Sequence, residues 1–548
     1  MEKKMKNKEY KVLPRIKKYA QREGCFSFDS LKVSLSGDGE LFFSSSAILM
    51  PDTKIERSNY RQANIRVSVS PDFSPFNEYC SLRITESFIE VHCRDGLGAR
   101  NAVSLIAQLA KKTDKGYVIE CAQIEDWPDA QYRACMVESS SRVWIPMDRI
   151  YRYIREMAMC RMNVFMFHFM EADGCAVPLK SVPNLSGYGE NDLKYTRGEV
   201  DAMISFATSL GIRVIPFVEI FTHIADIAMK LDIACPGDTE ENLFAVCLGQ
   251  EKTFDAIDKV IGEIAEIFPD SVIHIGADEY DMSRYTKKIA HWDKCPYCRK
   301  LWEEKGFKSM REMYFYGLER INEIVNDHSR TMMIWNADLE PGNIPEWLDR
   351  NIIIHYYRYC YDLGKEDLYN LDINGYANDG YSVINSFSRM MYMHLPDLFM
   401  NSLRLYNWSY RTIPYVNPEN YDNVPGGCMC VWESGDHYKR TVYPAIVLVA
   451  DRLWNSHTDT VTYDNAYGTA MTKLIFDGRL PEGTNVFACL GDVLPPLKDD
   501  VYGEPHKVTL SEEKLIKTRD ALRSLGNDEI AEAYAEAIDW VIEQRKTK

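Results

Sequence analysis

Between about residues 124 and 458 the chain repeats one rhythm, a short apolar run followed by an amphipathic helical stretch. The runs are Cys135–Ser140, Asn163–Met170, Ile212–Ile220, Ser271–Gly276, Thr331–Trp335, Asn351–His355, Tyr381–Asn385 and Cys428–Trp432. Met147–Cys160 and Arg197–Leu210 fill two of the intervals with helical periodicity. Strand-like runs alternating with helices imply βα units around a parallel sheet. Eight in succession suit a closed (β/α)8 barrel, the TIM barrel, better than an open sheet. The expected fold class is therefore α/β.

The flanks read differently. Residues 1–123 carry short alternating stretches such as Asn64–Val69 and Ser87–Cys93, broken by Pro- and Gly-containing turns, and then a helical run over Ala99–Lys112. That pattern predicts a small N-terminal α+β domain. Residues 459–548 are mixed and end in a charged helix near Asp528–Lys546, which predicts a C-terminal, mostly helical extension. With 548 residues, 46% of them hydrophobic and 26% charged, the chain has the composition of a folded globular protein. Its net charge of −17 and lack of a long basic run remove the main driving force for nucleic-acid binding. Apolar runs such as Tyr443–Ala450 are too short to span a bilayer, so neither nucleic acid nor membrane is an expected partner. The cationic first residues lead into no apolar export stretch, and the cysteines number fifteen, an odd count spread over the chain. Reduced, mostly buried thiols and a cytoplasmic location are the expectation.

A TIM barrel carries its chemistry just beyond the C-terminal ends of its strands. There the fourth run continues as His274-Ile275-Gly276-Ala277-Asp278-Glu279. Two adjacent carboxylates at the end of a buried strand are costly to ionise together, so one can stay protonated near neutral pH. A solvated surface pair is the bland alternative for the dipeptide alone. Gly276 reads as a position kept bare to give a substrate room.

The hexapeptide resembles the H-x-G-x-D-E signature of the family-20 glycoside hydrolases, the β-N-acetylhexosaminidases. The resemblance extends over about residues 90–455. It takes in the Gly-rich stretch from Gly98 to Leu109, Ile124-x-Asp126-x-Pro128, Arg133, Arg142, Asn163-Val164 and His168. Further on it includes Tyr195-Thr196, Gly211–Pro216, His223, Trp335, Tyr392, Gly426-Gly427, Trp432 and Arg452-Leu453-Trp454. It implies hydrolysis of a glycan or glycoside ending in an N-acetylhexosamine, with the substrate's 2-acetamido oxygen as nucleophile. By matching position, the resemblance makes Glu279 the general acid and base and Asp278 the partner of the acetamide N–H. It assigns Tyr392 to the acetamide oxygen, Trp335 and Trp432 to the pocket wall, and Arg142 to the sugar hydroxyls. His223 and Glu171 would tune the acid, and His168 and Glu433 would contact substrate. No cofactor and no metal is implied.

Some positions depart from the family pattern. Its His-x-His-x-x-Asp element reads Met166-Phe167-His168-Phe169-Met170-Glu171, and its Pro-Glu-x-Asp-x-Pro-Gly-His reads Pro216 to His223 with Glu219 at the Asp position. The acid before Arg142 is Glu138, one residue further away, and Trp-x-Glu reads Trp432-Glu433-Ser434. Two alternatives follow: a catalytically silent carbohydrate-binding barrel, which retention of both carboxylates argues against, and a hydrolase of a modified or disaccharide terminal unit. Cys295-Pro296-Tyr297-Cys298, with His291 four residues earlier, has zinc-knuckle spacing, but no second such pair exists, so loop-packing cysteines are expected. His355, His394 and His437 lie near strand ends as either sugar contacts or structural residues.

Overall fold

The computed structural model describes the chain apart from residues 1–10, Ser141, Asp173, 240–244, 281–289, 358–371, 394–404, 406–407, 433–437, 457–464, 491–509 and 547–548. Eight parallel strands close into a ring: Tyr132–Glu138, Val164–Glu171, Arg213–Val218, Val272–His274, Thr331–Trp335, Ile353–Tyr356, Ser382–Asn385 and Gly426–Val431. The last pairs with the first, Gly426 opposite Tyr132 and Val431 opposite Val137, so the sheet has no free edge there. Each expected apolar run overlaps one barrel strand.

The reason lies in burial on both faces. Alternate residues, among them Ala134, Met136, Met166, Phe217, Met333 and Cys430, fill the lumen. Those between them, such as Val137, Phe165, Val214 and Ile334, join the larger core beneath the helices. The helix Met147–Met159 buries Ile150, Tyr153, Ile154 and Met157 on one stripe. Arg197–Ser209 begins in a capping box, Thr196 Oγ1 accepting from the Glu199 N–H while the Glu199 carboxylate accepts from the Thr196 N–H.

Before the barrel, a mixed sheet of eight strands runs from Lys18 to Asp126, with Glu40–Leu49 and Gly96–Leu109 as its helices. Its last strand, Gly116–Asp126, extends three residues beyond the point where the sequence pattern ends the first unit. Buried polar contacts fix the sheet to the underside of the barrel. Arg133 pairs with Glu78, and Arg161 Nη1 lies 2.9 Å from Asp126 Oδ2. Trp454 Nε1 donates to Asp126 at 2.8 Å, and both guanidiniums face the Trp454 ring. The Asp126, Arg133 and Trp454 motifs thus serve the joint between sheet and barrel. The chain ends in helices that include Glu512–Arg523 and the packed Glu529–Lys546. No helix among the described residues is long and apolar enough to cross a membrane.

Candidate active site

Side chains from most of the barrel strands converge at its mouth. Glu171 is the last residue of the second strand, Glu219 follows the third and His223 lies four residues on. Asp278 and Glu279 stand in the turn after the fourth strand, Trp335 ends the fifth, and Tyr357 directly follows the sixth. Tyr392 begins a two-residue strand beside the eighth, which Trp432 follows.

His223 sits between the carboxylates. Its Nδ1 is 3.3 Å from Glu171 Oε1, while its Nε2 is 3.6 Å from Glu279 Oε2 and 3.9 Å from Asp278 Oδ2. Burial opposes charge on this ring, but the charges of Asp278 and Glu171 outweigh it and hold the imidazole well above its usual range. Burial likewise works against Glu171 ionising, yet the His223 cation brings its carboxyl down to about 2. Asp278 goes the other way: burial pushes it up to about 7, against the pull of His223 and with help from the negative charges of Glu279 and Glu171. Burial, then the charges of Asp278 and Glu171, hold Glu219 well above the ordinary carboxylate range. Asp278 thus stands between its protonation states near neutrality directly beside Glu279, an arrangement suited to acid/base work.

The turn holding the pair is shaped by its backbone. Gly276, Ala277 and Glu279 have φ of +71°, +70° and +60°, and His223 has +48°. Left-handed non-glycine residues cost of order 1–3 kcal/mol each and persist where their surroundings fix them. Here Tyr314 Oη donates to the Ala277 carbonyl at 2.7 Å, and Asp338 Oδ2 accepts from the Tyr280 N–H at 2.9 Å. Gly276 is bare for a reason other than substrate room: a Cβ there would lie 1.6 Å from Glu219 Oε2. Gly276→Ala should destabilise the fold by about 2–4 kcal/mol, combining overpacking with left-handed strain. It should also lower turnover as the Asp278 turn shifts. Denaturant unfolding checks this, and an unchanged midpoint would contradict the packing; Glu219→Ala in the same chain should restore much of the loss.

Aromatic rings enclose the mouth. Trp335 meets Tyr357, Trp432 and Tyr392 at centroid distances of 5.1, 5.9 and 6.2 Å. Tyr392 stacks on Tyr357 at 5.9 Å, and the exposed Arg142 holds its guanidinium 4.8 Å from the Trp432 ring. Tyr357, whose hydroxyl donates to Glu279 Oε1 at 3.1 Å, and Glu219 join the site without a role expected from the sequence. The strand-end rule that finds Asp278 also finds Tyr357.

Two histidines fall elsewhere. His168 is fully buried below the mouth, stacked on Phe217 at 3.9 Å, and its Nε2–H donates to the Met170 carbonyl at 3.1 Å. Burial lowers it to about 4 and keeps it neutral, so it supports Glu171, 3.6 Å away, rather than touching a sugar. His355 is equally buried and structural, 3.1 Å from His274 and 2.6 Å from Ser386 Oγ, with Trp335 stacked on it. Glu433, His394 and His437 lie outside the described residues. Cys295 and Cys298 do have a second pair: Cys235 and Cys247 fold against them, so the four thiols form one cluster rather than isolated loop packing.

A carboxyl poised between protonation states, with a second carboxyl beside it and flat aromatic faces around both, is the equipment of a glycoside hydrolase. Residues 131–457 match the model of the glycosyl hydrolase family 20 catalytic domain, and the chain belongs to that family. Beta-hexosaminidase A of Caenorhabditis briggsae is 25% identical over 410 residues, covering 70% of this chain and 72% of its own. The mouse beta-hexosaminidase subunit beta is 24% identical over 425 residues, 71% of each chain. Among solved structures, the Bacteroides fragilis beta-N-acetylhexosaminidase superposes with a TM-score of 0.73 at 21% identity, over 85% of this chain and 95% of that one. As a family-20 glycoside hydrolase the protein is an enzyme, and nothing favours the silent-barrel alternative.

Proposed function

We propose that the protein is an exo-acting β-N-acetylhexosaminidase that removes terminal GlcNAc- or GalNAc-type residues with retention, using the substrate's own 2-acetamido oxygen as nucleophile. The observation that carries this is the placement of Asp278 and Glu279 on one turn with His223 between them and Glu171. The named beta-hexosaminidases among the relatives support the same substrate class.

Glu279 gives its proton to the leaving oxygen as the glycosidic C–O bond breaks, and the acetamide oxygen bonds to the anomeric carbon. Asp278 accepts the acetamide N–H and faces the positive charge of the oxazolinium-like intermediate. A donor placed on Asp278 favours its ionised form, so the arriving substrate charges the group that ring closure needs. Tyr392 donates to the acetamide oxygen, and Tyr357 fixes the Glu279 carboxyl. Glu279 then takes a proton from the water that opens the ring. Trp335, Trp432 and Tyr392 cover the apolar sugar face, and Arg142 binds hydroxyls at the rim.

A panel of 4-nitrophenyl β-glycosides tests this reading. Those with a 2-acetamido group should be hydrolysed and their 2-hydroxy counterparts left nearly untouched, because only substrate assistance needs that group. Comparable rates on both would sink the proposal.

A further inference from the structure

The segments that follow the third and fourth barrel strands touch at four buried sulfurs. Cys235 and Cys247 belong to the first segment, and Cys295 and Cys298 open the helix Pro296–Lys305 in the second. Cys247 Sγ lies 3.6 Å from both Cys295 Sγ and Cys298 Sγ, and Cys235 Sγ lies 3.9 Å from Cys298 Sγ. All four sulfurs are within 4.8 Å of one another. A regular tetrahedron of zinc–sulfur bonds of about 2.3 Å has sulfur–sulfur edges of about 3.8 Å. A disulfide would instead bring one pair to about 2 Å.

The surroundings suit thiolates. Gln250 Nε2 donates to Cys247 Sγ at 3.3 Å. Cys295 is the N-cap of its ten-residue helix and Cys298 lies in the first turn, where the helix dipole favours negative sulfur. The two segments are also fitted to each other around the cluster. A Cβ on Gly249 would meet the Tyr297 carbonyl carbon at 2.2 Å and the Cys298 nitrogen at 2.4 Å, so only glycine lets the chains approach this closely. His291, the neighbour that a zinc-knuckle reading would recruit, is engaged elsewhere: its Nδ1 is 2.6 Å from Asp238 Oδ1.

We propose that Cys235, Cys247, Cys295 and Cys298 form a closed tetrathiolate zinc site that staples the segment carrying His223 to the segment carrying Asp278 and Glu279. Four thiolates, all buried and with no position left for water, make the site structural rather than catalytic. On binding, Zn²⁺ displaces four thiol protons to solvent and leaves a site of net charge −2. The sequence hides it because the second ligand pair is two single cysteines, twelve residues apart and separated from the first pair by more than 45 positions.

Elemental analysis of the full-length protein, purified without chelator or metal affinity resin, should find one zinc per chain. Cys298→Ser and Cys235→Ser should each retain less than about a tenth of that, while Cys428→Ser, in the barrel lumen, keeps it. Wild-type protein provides a readout that no folding failure can confuse. Titration with an organomercurial should release one zinc per chain as the thiols are consumed, and reloading with Co²⁺ should give the sulfur-to-metal charge-transfer and ligand-field bands of a tetrahedral tetrathiolate. A zinc-free protein, a disulfide among these four cysteines in its peptide map, or zinc retained by Cys298→Ser would overturn the site. One equivalent of iron in place of zinc would overturn the choice of metal. None of these readouts depends on glycosidase activity.

Discussion

Glu279→Gln should reduce turnover by roughly 10²–10⁴-fold on natural-type glycosides, whose leaving oxygen is basic, and by much less on activated aryl glycosides. The amide fills the same space but has no proton to give. In the native protein one carboxylate oxygen accepts from Tyr357 and the other faces His223, so the group is held in place before substrate arrives. The loss should therefore appear in chemistry, with substrate affinity little changed. The comparison needs two substrates of unlike leaving group under identical conditions. Equal losses on both would take Glu279 out of the acid role.

Asp278→Asn should cost on the order of 10²–10³-fold in turnover, because it removes a fixed negative charge from where positive charge develops. Most of that effect belongs in kcat, since the charge it answers forms only as the acetamide closes on the anomeric carbon. A thiazoline analogue of the cyclised intermediate should inhibit the native enzyme and bind the Asn variant more weakly. Its affinity for the two proteins separates stabilisation of the intermediate from simple substrate binding. A covalent glycosyl-enzyme trapped on Asp278 or Glu279 would replace this mechanism with an ordinary double displacement.

The barrel was legible because its strands are buried on both faces and so read as unbroken apolar runs, Val164–Glu171 most plainly. The reacting pair was legible for a related reason: a polar residue directly behind such a run sits where the strand opens onto the mouth, and packing alone seldom leaves two acids there. What stayed hidden depends on depth and on distance along the chain. His355 and Tyr357 point the same way from one strand, but two residues place Tyr357 about 7 Å nearer the mouth, so the histidine that drew attention is lumen packing and the tyrosine reaches Glu279. Glu219 and Gly276 are paired across two loops, and no local pattern announces that one makes room for the other. The thiol cluster is a still longer-range case, its halves meeting only once the third and fourth strands lie side by side.

Closure of the ring has a bearing on how the enzyme comes into being. Its first strand holds its eighth, which the ribosome delivers almost 300 residues later, and that last strand brings Trp432 to a mouth begun by Glu171. A nascent chain halted before residue 432 has the acid and its partner without a complete wall. Synthesis thus yields a silent polypeptide until the eighth strand is made, and hydrolytic power arrives as a property of the finished circle rather than growing strand by strand.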